Sequence, residues 1–350
     1  MDSLLSPRRR LVLQGLSAAV VAAGCGQPDR AAFQFAGPTM GSTYTVKIAG
    51  PRLGATAEAA ARQAVERAFA NVVDRMSAYV DDSELSRFNR HPTQLPFALS
   101  ADAFAVFRLA QQVSAETNGA FDITVAPVVD AWGFGPGRAQ RVVGSTEVAA
   151  LEQRVGWRML TLDDRRATAA KARPDMRADL SGIAKGYAVD RAAQALDALG
   201  YGDYMVEAGG EIRTRGINAD GRPWQIAIER PDAVPQQAYR IVPLTGLAMA
   251  TSGDYRIYFE RDGARYCHEI DPATGCPIRH GLASVTVVAP DCGYADAMAT
   301  ALIVKGPDAG YSLAASRNIA AHFIVREENG GLREFATPAF AALGGRLAAG

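Results

Sequence analysis

The feature that most constrains this chain is a run of six short β-type segments within residues 203–292, separated by Gly, Pro, Asp and Asn. Helical periodicity flanks this run, with apolar side chains three or four residues apart over 55–79, 100–118 and 181–200 before it and 294–306 after it. Strands and helices therefore do not alternate strictly along the chain. We predict an α+β fold in which helices pack on mixed or antiparallel sheets.

Smaller elements are predicted between these helices and strands. Ser100 is expected to cap the second helix, and Asn118-Gly119 to end it. The other predictions are a strand–turn–strand unit over 33–50, a loop over 80–96, a short apolar piece with a Gly/Pro loop over 120–137, a linker or small helix over 137–158, a hairpin over 160–178 and a closing hairpin over 320–336.

The N-terminal residues have the composition of an export signal. Three arginines at 8–10 precede an apolar stretch over 11–23, which is short for a permanent membrane span. The arginine pattern is similar to a twin-arginine signal, and the small residues before Cys25 are similar to a lipobox. We predict export to the periplasm with a lipid tether to the inner membrane through Cys25. The alternative is an N-terminal anchor that stays attached.

The chain is expected to have one folded domain after this signal. We predict an export signal over 1–25, a polar tether over 26–32 and a single domain over 33–345. The 350 residues are 48% hydrophobic, which is ample for a sizeable core. Basic and acidic residues balance at 37 each, and no basic stripe interleaves with aromatics, so we expect no nucleic-acid partner.

Cysteine usage and common motifs exclude several classes of site. Cys267 and Cys276 flank a turn and could pair in an oxidising compartment, but free, partly buried thiols are the preferred interpretation. The chain has no CxxC pair, so a structural zinc site is not expected. It also has no GxGxxG, GxxxxGK[ST], GxSxG or HExxH motif.

One pair of residues on the predicted fourth helix has the chemistry of a cation site. Asp296 and Thr300 are four residues apart, so both side chains share one helix face, one turn apart. A carboxylate and a hydroxyl suit Mg²⁺ better than zinc, particularly if phosphates complete the shell. The plainer interpretation is a helix-entry Asp and a Thr that bonds to its own helix.

Two further clusters carry polar chemistry. Asp179, Gly182 and Lys185 surround a predicted helix start, where free N–H groups and a lysine favour anions. The alternative is an ordinary capped helix. His268 precedes a turn that begins at Asp271, and an unperturbed histidine titrates near neutral pH and can act as an acid or a base. A lone histidine before a turn is more often structural.

Nine collinear motifs within residues 39–305 together resemble the ApbE family of FAD:protein FMN transferases. A chance match of all nine in order is very improbable, although each alone is weak. The motifs are TMGSTY, MSAYVDDSELSRFN, NGAFDITVAPVVDAWGFG, DLSGIAKGYAVD, VEAGGEIRTRG, PWQIAIERP, ATSGDYRIYFERDG, CHEIDPATGCPI and ADAMATAL.

The resemblance implies an ApbE-like fold and specific site residues. It implies FAD contacts at Met40, Tyr79, Ala120, Phe121, Asp122, Asp179, Lys185 and Ile270. It implies a Mg²⁺ ion held by the side chains of Asp296 and Thr300 and by backbone carbonyls near Gly182 and Ala299. The implied catalytic residues are His268, Lys185 and Asp271. Glu269 departs from the family pattern, which usually has Ile or Val there.

The implied reaction moves the FMN part of FAD onto a Thr or Ser hydroxyl of an acceptor redox protein and releases AMP. Asp254 or Asp271 could be the base instead of His268 in this scheme. Two alternative functions remain open from the sequence. One is a Mg²⁺-dependent FAD pyrophosphatase, in which water replaces the hydroxyl, and the other is a periplasmic flavin-binding lipoprotein without turnover.

Overall fold

The computed structural model describes residues 31–92, 94–233 and 235–348. The predicted export signal lies outside the described residues, as does most of the predicted tether. The first strand begins at Ala31, so the last two residues of the predicted tether belong to that strand. None of the described helices is both long and apolar enough to cross a bilayer.

Eight α-helices lie within the described residues. Four of them (α1, α3, α6 and α7) pack together on one face of the central sheet and share its largest apolar core. The helices are α1 Ala55–Met76, α2 Glu84–Arg90, α3 Ala101–Thr117, α4 Ala126–Trp132, α5 Ser145–Glu152, α6 Ala184–Ala198, α7 Cys292–Ser316 and α8 Pro338–Ala341.

The strands confirm the predicted α+β class. The sheets are antiparallel, since every strand pair in the described residues runs antiparallel. The strands are β1 Ala31–Thr39, β2 Ser42–Gly50, β3 Phe97–Ala98, β4 Leu160–Asp163, β5 Thr168–Lys171, β6 Tyr204–Ala208, β7 Glu211–Arg215, β8 Trp224–Glu229, β9 Ala238–Leu244, β10 Ala248–Gly253, β11 Tyr258–Arg261, β12 Ala264–Cys267, β13 Ile270–Asp271, β14 Cys276–Pro277, β15 Leu282–Ala289, β16 Ala320–Arg326, β17 Leu332–Ala336 and β18 Arg346–Leu347. The central sheet has eight strands in the order β1-β2-β6-β7-β10-β15-β16-β17.

The central sheet is buried on both faces, which explains its continuous apolar strands. Side chains alternate across a strand. Ala248 and Ala250 of β10 therefore face the four-helix layer, where small residues let α7 approach closely. Met249 faces the opposite layer, which is formed by β8, β9 and α8. The helix α7 thereby lies directly on β10 and β15, next to residues 251–256, the TSGDYR segment.

Two predicted irregular segments contain helices. The predicted loop over 80–96 holds α2, because Ser83 Oγ accepts the Ser86 N–H at 3.0 Å and Leu85 and Phe88 bury their side chains in the main core. The apolar piece over 120–137 contains α4, which Gly133 ends in a left-handed conformation with φ of 85°. The prediction of a small helix within 137–158 is confirmed by α5.

The ends of the long helices differ in part from the predictions. The cap at Ser100 and the left-handed Asn118 at the end of α3 are confirmed. The helix α6 begins at Ala184, since residues 181–183 form turns. The range of α7 contains two helical stretches that meet at a kink, and the predicted end of the fourth helix at Gly306 lies at this kink, where φ is 79° and a proline follows.

A separate small core supports the segment that carries His268. The indole of Trp132 stacks on Tyr266 at 5.5 Å between ring centroids, and its Nε1–H donates to the Gly275 carbonyl at 2.8 Å. Ile270 is buried in the same core. The HEIDPATG turn is therefore held in place by packing and hydrogen bonding against α4.

Candidate active site

Asp296 and Thr300 lie on one face of α7, as their spacing predicts. Asp296 is buried, and its Oδ2 accepts the backbone N–H of Gly186 at 2.9 Å. Among the described residues its Oδ1 has no hydrogen-bond partner, so that oxygen is open to a cation. Burial raises the pKa of Asp296, while Lys185 and the Gly186 N–H oppose that rise.

Thr300 lies close to a second hydroxyl oxygen and to the backbone of another segment. Its Oγ1 lies 3.1 Å from the Ser252 Oγ, which belongs to the TSGDYR segment. A Cβ at position 182 would lie 3.1 Å from Thr300 Oγ1 and 3.2 Å from the Phe121 ring, so Gly182 is in close contact with both. Ala299 is fully buried beside Thr300 within α7.

These donors fit a hard cation. The groups near Asp296 and Thr300 are carboxylate, hydroxyl and backbone oxygens, which is the ligand chemistry of Mg²⁺. No group of three or more His, Cys, Asp or Glu able to hold a metal exists among the described residues. A Mg²⁺ ion here would therefore need oxygens from water or from a phosphate-bearing substrate.

Lys185 projects from the first turn of α6 and forms an ion pair with the buried carboxylate of Glu211. Burial disfavours the ammonium charge, but the carboxylates of Glu211 and Asp296 outweigh that effect and raise the pKa of Lys185. Burial and Asp296 raise the pKa of Glu211 as well, against the lowering effect of Lys185. About a third of the Lys185 side chain (34%) stays exposed, so its charge can reach a ligand.

The β1–β2 turn approaches Lys185 from the other side. Met40 and Gly41 form a two-residue hairpin turn with φ of 47° and 74°, which is the left-handed geometry that joins twisted strands. A Cβ at Gly209 would lie 3.5 Å from the Lys185 Cδ and 3.6 Å from the Ser42 Cβ. The turn with half-buried Met40 therefore borders the region around Lys185.

Tyr79 and Asp179 lie near each other at the rim. Tyr79 is 70% exposed, which is unusual for a large aromatic ring and leaves it free to stack on a planar ligand. Partial burial of the hydroxyl and the nearby carboxylates of Asp179 and Asp130 raise the pKa of Tyr79. Asp179 Oδ1 accepts both the N–H and the Oγ–H of Ser181, at 2.8 and 2.6 Å.

Asp122 has a scaffolding position. Its Oδ1 accepts the N–H and Oγ–H of Thr124 at 2.8 and 2.7 Å, and its Oδ2 accepts the Trp157 N–H at 2.7 Å. Burial raises its pKa, and these hydrogen bonds oppose the rise. The carboxylate therefore orders the segment that carries half-buried Ala120 and buried Phe121, and both its oxygens are already occupied by protein groups.

His268 is neutral at pH 7. Burial lowers the pKa of His268 to about 4, although a third of its side chain (33%) remains exposed on one side. Its Nδ1 lies 3.2 Å from the Ile257 carbonyl oxygen. Because a carbonyl only accepts, Nδ1 carries the hydrogen in that contact and Nε2 keeps its lone pair. The lowering effect of the Lys185 charge on this pKa places the two residues within electrostatic range.

Asp271 and Asp254 are occupied by other groups. The carboxylate of Asp271 closes its own turn by accepting the Ala273 N–H at 2.9 Å and the Thr274 hydroxyl at 3.2 Å. Asp254 forms a bidentate pair with Arg326 at 2.6 and 2.7 Å. The Asp271 carboxylate therefore also orders its own turn, and the Asp254 carboxylate is paired with Arg326. Cys267, Cys276 and Cys292 are free thiols.

Three residues near the site were not predicted. Glu211 neutralises Lys185, and Ser252 approaches Thr300 from β10. Asn89 forms two hydrogen bonds with Ala178, at 2.7 and 2.8 Å, which fix the chain just before Asp179. All three residues lie inside three of the nine motifs, but only the fold shows their contacts.

Proteins of known structure share this fold. The flavin transferase ApbE from Vibrio cholerae has a TM-score of 0.81 and 39% sequence identity, covering 90% of this chain and 100% of that one. The flavinyl transferase ApbE from Pseudomonas stutzeri, in its apo form, gives a TM-score of 0.81 and 41% identity, with 90% and 97% covered. The fold and the site therefore place this chain in the class of the flavin transferases.

The chain belongs to the ApbE family, whose model matches residues 40–323. A curated relative from Haemophilus influenzae, named FAD:protein FMN transferase, is 43% identical over 329 residues. That alignment covers 91% of this chain and 94% of the relative. The match spans nearly the full length of both proteins, so the fold and the family hold for the whole described chain.

Proposed function

We propose that this chain transfers the FMN moiety of FAD to a Thr or Ser hydroxyl of an acceptor protein and releases AMP. The observation that carries the proposal is the hydrogen bond from Gly186 to Asp296. It brings the oxygen ligands of α7 next to Lys185 of α6, and such a combination suits a pyrophosphate. The relatives named FAD:protein FMN transferase support the same reaction.

In this proposal, Asp296 and Thr300 would hold Mg²⁺, together with backbone oxygens near Gly182 and Ala299. When bound, the ion neutralises charge on the pyrophosphate oxygens, which is the main help that phosphoryl transfer requires. Lys185 keeps its proton at neutral pH and adds a positive charge beside the same phosphates. Its partner Glu211 holds the ammonium in place from the buried side.

The exposed ring of Tyr79 stacks on a flat ring of FAD, and Met40 with Phe121 provides apolar contact. Tyr79 suits this role because its exposed aromatic ring can be buried by a planar ligand that stacks on it. Ala120, Asp179 and Ile270 complete the predicted FAD contacts. Asp122 supports this pocket from behind by ordering the backbone of Phe121.

His268 accepts the proton of the attacking hydroxyl on Nε2. The hydroxyl oxygen then bonds to the phosphorus on the FMN side, and the bond from that phosphorus to the bridging oxygen breaks. AMP leaves with the bridging oxygen and its electron pair. A neutral imidazole with a free Nε2 lone pair is the correct form for this step.

We further propose that the mature protein acts in the periplasm, tethered to the inner membrane through a lipid on Cys25. The composition of residues 8–25 supports this location. The acceptor would then be a periplasmic or membrane redox protein. Mass spectrometry of the N-terminal peptide from membranes tests the tether, and an unmodified or absent Cys25 would contradict it.

The decisive experiment uses the exported chain with FAD and Mg²⁺, with and without a candidate acceptor domain. AMP release together with an acceptor mass gain of one FMN is the expected result. Release of AMP and free FMN at the same rate without acceptor would instead identify an FAD pyrophosphatase. Bound FAD without AMP in either case would leave a flavin-binding protein without turnover.

A further inference from the structure

Glu269 is a buried acid beside His268 whose side chain has no hydrogen bond within the described residues. It is 7% exposed, and it follows His268 directly in the chain. Its backbone is fixed, since its carbonyl accepts the Ile278 N–H at 3.0 Å. Its Oε1 lies 3.7 Å from His268 Nε2, on the side of the ring that keeps its lone pair. A largely buried carboxyl group that makes no hydrogen bond to the protein is open to a ligand group, because such a group is more stable with a partner.

The groups around Glu269 favour its protonated form at neutral pH. Burial raises the pKa of Glu269 to about 8. Lys185 of α6 opposes this rise, while Asp254 after β10 and Asp296 of α7 add to it. On its own segment the nearby titratable groups are His268, which is neutral at pH 7, and the Cys267 thiol, whose pKa is raised by burial and by Glu269. A protonated carboxyl donates one hydrogen, so Glu269 presents a donor where His268 presents an acceptor.

The distance between these two atoms fits one hydroxyl oxygen. A hydroxyl oxygen about 2.8 Å from each of two groups closes a triangle when those groups are 3.7 Å apart. We propose that Glu269 positions the acceptor hydroxyl, donating to its oxygen while that hydroxyl donates its own hydrogen to His268 Nε2. The inference rests on the proposed transfer reaction and names a residue that selects and orients its second substrate.

This arrangement requires one donor and one acceptor. The hydroxyl proton moves to His268, the oxygen–phosphorus bond forms, and Glu269 keeps its own proton throughout. If Glu269 ionises, both groups become acceptors and compete for the single hydroxyl hydrogen. Its negative charge then also lies near the pyrophosphate. Transfer is therefore expected to fall as pH rises through about 8.

Two variants separate this role from a structural one. Glu269→Met has similar length and no hydrogen bond, so we expect transfer to fall about 10- to 100-fold at neutral pH, the effect of a lost hydrogen bond. Glu269→Gln keeps an N–H donor and cannot ionise. We expect it to transfer faster than the Met variant and to lose the fall in rate at alkaline pH. The exposed Glu260→Met serves as a matched control.

The assay measures AMP release, acceptor mass and FAD affinity for each variant across neutral and alkaline pH. At neutral pH the expected result is an unchanged FAD Kd in all variants, with losses confined to transfer. Wild-type transfer rates in the Met variant would overturn the proposed role of Glu269 and leave the proposed function standing. A fall in transfer rate at alkaline pH that persists in the Gln variant would do the same. No flavinylated acceptor with the wild-type chain would overturn the proposed function and this inference together.

Discussion

The backbone N–H of Gly186 donates a 2.9 Å hydrogen bond to Asp296 Oδ2, joining α6 to α7 across 110 positions of sequence. A side chain has no room at position 186, since a Cβ there would lie 2.4 Å from the Cys292 carbonyl oxygen and 2.8 Å from the Asp296 Cβ. Lys185 of α6 and the pair of Asp296 and Thr300 on α7 are thus held as one unit. A change on either side of this hydrogen bond should therefore affect both helices.

Gly186→Ala is expected to lower both stability and transfer. The new methyl group must push α7 away, and overpacking of this kind costs about 1–3 kcal/mol. Thermal unfolding monitored by circular dichroism checks the first effect, and AMP release checks the second. Gly202→Ala is the matched control, because a Cβ at 202 meets no atom within 4 Å. A Gly186→Ala variant as stable and active as the wild type would show that the two helices are not rigidly joined.

Asp296→Asn is expected to abolish Mg²⁺-dependent transfer without unfolding the chain. The Asn oxygen still accepts the Gly186 N–H, but the charge that binds the cation is lost. Since a bound metal contributes several kcal/mol to such reactions, we expect transfer to fall about 100-fold or more. Added Mg²⁺ should raise the melting temperature of the wild type and not of the variant.

The exposed Asp308→Asn on the same helix serves as its control. Burial disfavours the charge of Asp296, so in Mg²⁺-free buffer the Asn variant should melt no lower than the wild type. Full activity of the Asn variant at limiting Mg²⁺ would remove Asp296 from the metal site.

The sequence predicted the parts of this site that lie close together along the chain. Asp296 and Thr300 share a face because a helix repeats every 3.6 residues, so their spacing predicted that they are neighbours, while an ordinary helix entry remained the plainer interpretation of the pair. The pair of Lys185 and Glu211 spans 26 positions, and the contact of Gly186 with Asp296 spans 110. Such contacts depend on the order of strands in the sheet, which local patterns do not determine.

The hydrogen-bond partners of the acids could not be predicted either. Asp122 and Asp271 look like site residues in their motifs, yet both carboxylates bond to nearby backbone and hydroxyl groups. Short polar side chains often bond to their own backbone, so a motif acid has two uses that the sequence alone does not separate. The helix Glu84–Arg90 was not predicted, and a loop was expected there, because a two-turn helix gives too short a periodic pattern to recognise.

Lys185→Met is expected to abolish transfer and destabilise the fold through Glu211. Removing the ammonium leaves a buried carboxylate without its partner, which costs about 3 kcal/mol when the charge stays buried. The double variant Lys185→Met with Glu211→Gln removes both charges, so it should regain most of that stability. Urea unfolding measures the stability, and AMP release measures the activity.

The double variant must stay inactive if Lys185 contacts the phosphates. Recovery of transfer in the double variant would mean that Lys185 serves only to neutralise Glu211. A Lys185→Met variant as stable as the wild type would contradict the expected loss of stability, and would mean that Glu211 takes up a proton at little cost.

From the lowered pKa of His268 we expect acid to affect stability and activity over different pH ranges. Burial lowers its pKa to about 4 in the folded state, below the value of about 6.5 of an unfolded chain. The unfolded chain therefore binds more protons between these values, so this contribution to stability is complete above about 6.5 and is lost as pH falls towards 4. As the base, His268 stays active over the same range, and transfer should not fall near pH 6.5.

His268→Gln is expected to lose less stability than the wild type between neutral and mildly acidic pH, and to transfer about 100-fold more slowly. Urea unfolding at neutral and at mildly acidic pH measures the loss of stability, and AMP release with acceptor measures the transfer rate. His322→Gln is the matched control: His322 is also buried with a lowered pKa, but it stacks on Phe340 in the opposite layer. That control should reduce the acid-dependent loss of stability and keep transfer. Equal transfer by the His268→Gln and His322→Gln variants would show that the base is another group.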